Sequence, residues 1–185
     1  MNLLETIMQA QGGGALKGLA QNFGLDEGAA QSAVKMLLPA LSSGLKRNAS
    51  SPSGLEGLMG ALEKGNHNQY LDEPERLGRQ ETVSDGNAIL GHLLGSKDVS
   101  RRVAGRAADG TGLPVDLIKK MLPVVATMAM GALSKNTAQS GIQGRAAGQR
   151  QGGDIMGMLT PMLDADGDGS MADDLLGMAS KFFSR

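Results

Sequence analysis

Two stretches of equal length constrain this chain more than any other feature: GLDEGAAQSAVKMLLPALSSGLKRN, from Gly24 to Asn48, and GLPVDLIKKMLPVVATMAMGALSKN, from Gly112 to Asn136. Each opens on a Gly-Leu pair, repeats apolar residues at helical spacing and carries an internal proline. When the Gly-Leu pairs are aligned, Pro39 and Pro123 are displaced by four positions, about one helical turn. The segments ahead of them align too, NLLETI with AILGHL and ALKGLAQNFGL with VAGRAADGTGL. The chain therefore reads as a duplication of one unit: a short helix, a second helix, a Gly-Leu turn and a long helix kinked or restarted at its proline. The copies fall at about residues 1–48 and 88–136. Two copies imply pseudo-symmetry rather than a solenoid, which needs about three or more repeats.

No segment shows the strict alternation, or the β-branched and aromatic enrichment, of strands. The expected fold class is all-α: a helical bundle of two pseudo-repeated helix-turn-helix-like units plus a C-terminal helical pair around an Asp-rich loop. With no Trp, one Tyr and three Phe, its core must be filled by Leu, Met, Ala and Val, the twelve Met acting as pliable filling. The first helix should stop at Gly12 to Gly14, and the second, ALKGLAQNF, should close on Gly24. Asp26 is placed to cap the long helix that follows. Ser53 and Glu56 have capping-box spacing at the start of a fourth helix. From 65 to 85 the chain is polar and reads as a long loop, either an interdomain linker or a surface excursion. Residues 1–136 thus form one duplicated domain, 137–153 a flexible Gly/Gln linker, and 154–185 a helical hairpin.

Charge and composition exclude several classes. A formal net charge of −1 gives no global field to attract nucleic acid or anionic lipid. Without Cys there are no disulfides and no thiol chemistry, which suits a reducing compartment. The amino terminus lacks the basic and continuous apolar regions of a signal peptide. Pro123 and Gly131 break the longest apolar run, so no membrane span is expected and the protein reads as cytoplasmic.

The hairpin carries the sharpest chemical motif, DADGDGSMADD from Asp164 to Asp174. Asp164, Asp166 and Asp168 occupy positions 1, 3 and 5 of an EF-hand-type loop, and Gly169 falls at the sharp turn of position 6. Alternate residues in a tight turn aim their oxygens at one point, as hard calcium requires, and the Ser170 carbonyl would be the next ligand. Position 12, where a bidentate acid belongs, is Leu175, so a shortened loop must close on Asp174 or Asp173, with Asp174 preferred. Calcium is expected ahead of magnesium. The competing reading is a turn whose Ser170 and Asp173 cap the next helix without metal.

A second motif, LAQNFGLDEGAAQSAV, has the small-residue spacing of a helix-turn-helix at Ala20, Gly24 and Ala30, repeated at Ala108, Gly112 and Ile118. In the first copy Asp26 and Glu27 oppose phosphate contact and Lys35 is the sole cation before Pro39. The second copy is more basic, with Lys97, Arg101, Arg102, Arg106, Lys119 and Lys120. Catalysis has little footing: no P-loop is present, and His67, read as loop, and His92, read as helix, have no neighbouring nucleophile pattern. No catalytic residue is assigned.

The N-terminal stretch from Met1 to Asn48, GHLLGSKDVSRRVAGRAADGTGL with KKMLPVVATMAMGALSKN, and MLDADGDGSMADDLLGMASKFF together resemble the bacterial YidB-like family of unknown function. The resemblance spans the chain apart from the polar loop and the Gly/Gln linker. It implies an all-helical, cytoplasmic bacterial protein and brings no catalytic residues, substrate or partner. The functional expectation is a non-enzymatic interaction or scaffold protein that meets a protein partner or another copy of itself through Met-rich and Ala/Gly-rich helix faces, with calcium ordering the terminal hairpin. The alternative is a nucleic-acid-associated protein using the second helix-turn-helix-like unit.

Overall fold

The computed structural model describes residues 3–139, and every regular element within them is helical. In chain order these are α1 (Leu3–Gln9), α2 (Gly14–Phe23), α3 (Glu27–Ala49), α4 (Pro52–Lys64), α5 (Gln69–Asp72), α6 (Gln80–Leu94), α7 (Lys97–Thr111) and α8 (Val115–Gln139), with 3-10 turns at Ala10–Gly13 and Pro74–Arg76. The all-α expectation holds for these residues. The linker beyond Gln139, the terminal helical pair and the Asp-rich loop lie outside them.

The helix ends follow local chemistry. The chain leaves helical geometry at Gln11 and Gly12 and re-enters it at Gly14, so the glycine run separates α1 from α2 as expected. α2 closes on Gly24 and α7 on Gly112, with φ of 64° and 72°, a left-handed conformation that costs a side-chain-bearing residue roughly 1 kcal/mol or more. Asp26 Oδ1 accepts from the Ala29 amide at 2.8 Å and starts α3. The cap of α4 is Ser51, whose Oγ accepts from the Gly54 amide at 3.1 Å, and not Ser53 as the capping-box pattern suggests. Pro52 explains the shift, because its fixed φ and missing N–H suit the first helical position and place the cap at the residue before it, two positions ahead of Ser53.

α3 runs unbroken through Pro39 and α8 through Pro123, so neither proline restarts its helix. α8 is the axis of the bundle, packed by α1, α3, α5, α6 and α7. Every residue from Met121 to Ser134 is buried. Over Val115–Ala138 this helix is long and apolar enough to cross a membrane by length and composition, at a mean hydropathy of 1.3. That corrects the expectation that Pro123 and Gly131 interrupt the apolar run. The apolar stretch is 83% buried against its neighbours, which is what the core helix of a bundle requires.

The polar stretch 65–85 is not one long loop. It contains α5, the second 3-10 turn and the start of α6. Tyr70, Leu71 and Leu77 are buried, and Lys135 on α8 forms an ion pair with Asp72. Burying a leucine is worth about 2 kcal/mol, enough to pin a single helical turn that its polar neighbours would leave in water. At the next residue of α8, Thr6 of α1 donates to Asn136 Oδ1 at 3.2 Å in a buried setting.

Candidate functional site

Where α6 ends, Gly95 takes a left-handed conformation and Ser96 caps α7 by accepting from the Val99 amide at 3.3 Å. This tight turn sets the first turn of α7 beside the first half of α8 and leaves a cleft of about 640 Å³ between α6, α7 and α8. Its floor is apolar, made by Leu90, Leu122 and Pro123, with Asn87 and Gly91 of α6 along one wall. Its polar side carries Ser100, Lys97, Arg101 and Lys119. Among the described residues no acid lines it.

The cations are loosely held. Arg101 pairs with Asp98 and Lys119 with Asp116, both at 3.0 Å, but the two acids are 80% and 83% exposed. Pairs this wet are worth at most about 1 kcal/mol and are readily exchanged. Lys97 makes no ion pair among the described residues. The amides at the start of α7 add the positive end of a helix dipole to the same wall.

Of the basic residues singled out in the second helix-turn-helix-like unit, Lys97, Arg101 and Lys119 line the cleft. Arg102, Arg106 and Lys120 are exposed outside its lining. Ala20, Ala30 and Ile118 are buried around the two glycine turns, as the helix-turn-helix spacing requires, while Ala108 is half-buried. In the first unit Asp26, Glu27 and Lys35 are all exposed. Sequence reasoning did not connect Asn87, Leu90 and Gly91 to these cations, because they join the group only through the packing of α6 on α8.

A polar cluster gathers at the other end of α6. The Tyr70 hydroxyl donates to Asp85, and burial together with that bond pushes the phenol up to about 12. His67 sits between α4 and α5 with Nε2 3.1 Å from the Ala61 carbonyl and its ring 6.2 Å from that of Tyr70. An acceptor at that distance calls for the proton on Nε2, and burial holds the imidazole below its ordinary pKa. Each group is committed to a bond joining α4, α5 and α6, which makes the cluster a structural clasp. His92 is exposed on α6, a helix position as expected.

The candidate metal ligands Asp164, Asp166, Asp168, Ser170, Asp173 and Asp174 lie outside the described residues. Among the described residues no group of three or more His, Cys, Asp or Glu side chains is placed to hold a metal.

No curated protein and no solved structure matches the chain. A family model described as a bacterial protein of unknown function matches residues 5–136, which spans the cleft, the clasp and all but the last turn of α8. The chain belongs to that family, DUF937, a placement consistent with its resemblance to the YidB-like proteins.

Proposed function

We propose that this chain is a non-enzymatic interaction protein whose contact surface is the basic end of the bundle formed by α7 and the start of α8. The observation that supports this most directly is the convergence of Lys97, Arg101 and Lys119 on one cleft that, among the described residues, no acid lines. Arg102, Arg106 and Lys120 extend the same charge onto the surrounding surface, which suits an acidic protein partner. The methionine faces offer less support for helix docking, since Met121, Met128 and Met130 are buried in the core and Met36 is the large exposed one among the described residues. The experiment is capture of partners by the full chain against a Lys97→Glu, Arg101→Glu, Lys119→Glu variant. Capture unchanged by charge reversal would sink the reading.

A nucleic-acid partner is the second reading, favoured by the exposed Lys119 and Lys120 on the helix that follows the Gly112 turn. Nuclease treatment separates the two: partners that persist belong to protein, and partners lost with steep salt dependence belong to nucleic acid.

Two further parts of the proposal rest on sequence pattern. Calcium would bind at Asp164, Asp166, Asp168 and the Ser170 carbonyl, closed by Asp174 or Asp173, on the strength of the DxDxDG spacing. Calorimetry should give a calcium isotherm that Asp164→Ala with Asp168→Ala abolishes, and a flat isotherm for the native chain rejects the site. The duplication is supported by the matching order of a helix ending at a left-handed glycine and a long proline-containing helix in α2–α3 and α7–α8, while the helices ahead of them differ, 7 residues in α1 and 15 in α6. The two units should superpose about Gly24 and Gly112; different surroundings at the two turns count against it.

A further inference from the structure

We propose that the cleft between α6, α7 and α8 binds a small phosphomonoester. The phosphate would sit among Lys97, Arg101 and Lys119, and its apolar ester group on the floor of Leu90, Leu122 and Pro123. This rests on reading the basic end of the bundle as a contact surface and assigns it a ligand.

Size and shape come first. At about 640 Å³ the cleft lies within the range of roughly 300 to 1,000 Å³ typical of small-molecule sites. A bare phosphate would fill only a fraction of that space and leave the apolar floor wet. A ligand with both an anionic head and an apolar group uses the whole surface.

Charge narrows the class. Three cations and, among the described residues, no acid line the cleft, so a dianion neutralises them better than a carboxylate would. The Arg101 guanidinium offers parallel N–H donors that match two phosphate oxygens. Asp98 and Asp116, which hold Arg101 and Lys119 in the free protein, are 80% and 83% exposed, so the cations can turn from them to a ligand at little cost. The positive end of the α7 dipole strengthens the same preference.

Gly91 supplies a test independent of charge. It lines the cleft, and a Cβ added there meets nothing within 4 Å. Gly91→Leu should therefore fill the cleft without a clash at its root, and in a helix the exchange should not lower the melting temperature.

The probe is 1-butyl phosphate, with inorganic phosphate and 1-butanol beside it, followed by amide chemical shifts of the full chain. Saturable shifts are expected at residues 87–101 and 119–123, with inorganic phosphate weaker and butanol silent. Lys97→Ala with Arg101→Ala should weaken binding about tenfold or more. Gly91→Leu should do the same while keeping its fold. No saturable binding, inorganic phosphate as tight as butyl phosphate, or binding indifferent to Gly91→Leu would each overturn the proposal.

Vesicles of phosphatidate in phosphatidylcholine test whether the phosphate can belong to a lipid. Sedimentation with them that is lost in Gly91→Leu places a lipid headgroup in the cleft. Sedimentation that survives Gly91→Leu is surface charge alone and counts against a seated headgroup. If butyl phosphate fails while charge reversal still abolishes partner capture, the ligand assignment falls and the contact-surface reading stands.

Discussion

Gly86 of α6 lies so close to Pro123 of α8 that a Cβ added to it would sit 2.1 Å from the Pro123 carbonyl oxygen. The atom it meets is main chain, which cannot rotate out of the way. This approach lets α6 lie along the axis helix and forms one side of the basic cleft.

Gly86→Ala should therefore destabilise the protein by about 1–3 kcal/mol or more, by forcing α6 away from α8. Gly105→Ala on α7 is the matched control, since an added Cβ there meets nothing within 4 Å. It should stabilise by about 0.5–1 kcal/mol through helix propensity. Urea midpoints moving in opposite directions would bear out the distinction, and equal shifts would refute it.

Leu71 is fully buried although it lies in the most polar region of the described chain. Leu71→Ala should cost about 2–5 kcal/mol. Lys135→Ala, which removes the ion pair to Asp72 at a partly exposed position, should cost under about 1 kcal/mol. Thermal melts of the two variants rank burial against charge as the anchor of α5.

The contrast bears on how much of the molecule was legible in the sequence. The long helices were, because a 3.6-residue apolar period over many turns has few other solutions, and so were their stops at Gly24 and their cap at Asp26. α5 was not: Tyr70 and Leu71 form one apolar step with no second turn to establish a period. The α4 cap was misplaced because serines flank Pro52 on both sides and only the proline distinguishes them. For the cleft, Lys97 and Arg101 are four apart on α7 and share a face by spacing alone. Lys119 joins them from another helix, and that depends on how α7 packs on α8.

Thr6 and Asn136 join α1 to the far end of α8 through a buried hydrogen bond. Thr6→Val should cost about 1–3 kcal/mol, because the buried Asn136 amide loses that partner. Thr6→Val with Asn136→Leu should cost less than the sum of the two single changes in a double-mutant cycle; strict additivity would show that the two side chains are not coupled.

His67 gives the fold a dependence on acid. Its pKa is held below the ordinary 6.5 by burial, so the unfolded chain binds its proton more tightly than the folded one. Its contribution to stability is present above pH 6.5 and is lost as pH falls through the lowered folded value. Urea midpoints should drop more steeply in the native chain than in His67→Gln between about pH 7 and about pH 5. Parallel slopes would assign the acid sensitivity elsewhere. Tyr70 has the opposite sign: raised to about 12 from 10.0, it contributes stability below pH 10 that disappears as pH climbs through about 12.

The burial of α8 also bears on the order in which the chain is made. This helix is apolar enough to span a membrane, yet among the described residues each element packed against it, α1, α2, α3, α5, α6 and α7, precedes it in the chain. During synthesis, which proceeds from the amino terminus, the helices that shield it are already outside the ribosome when Met121 to Ser134 emerge. This long apolar helix is thus made after all of its described packing partners, with their cover waiting for it.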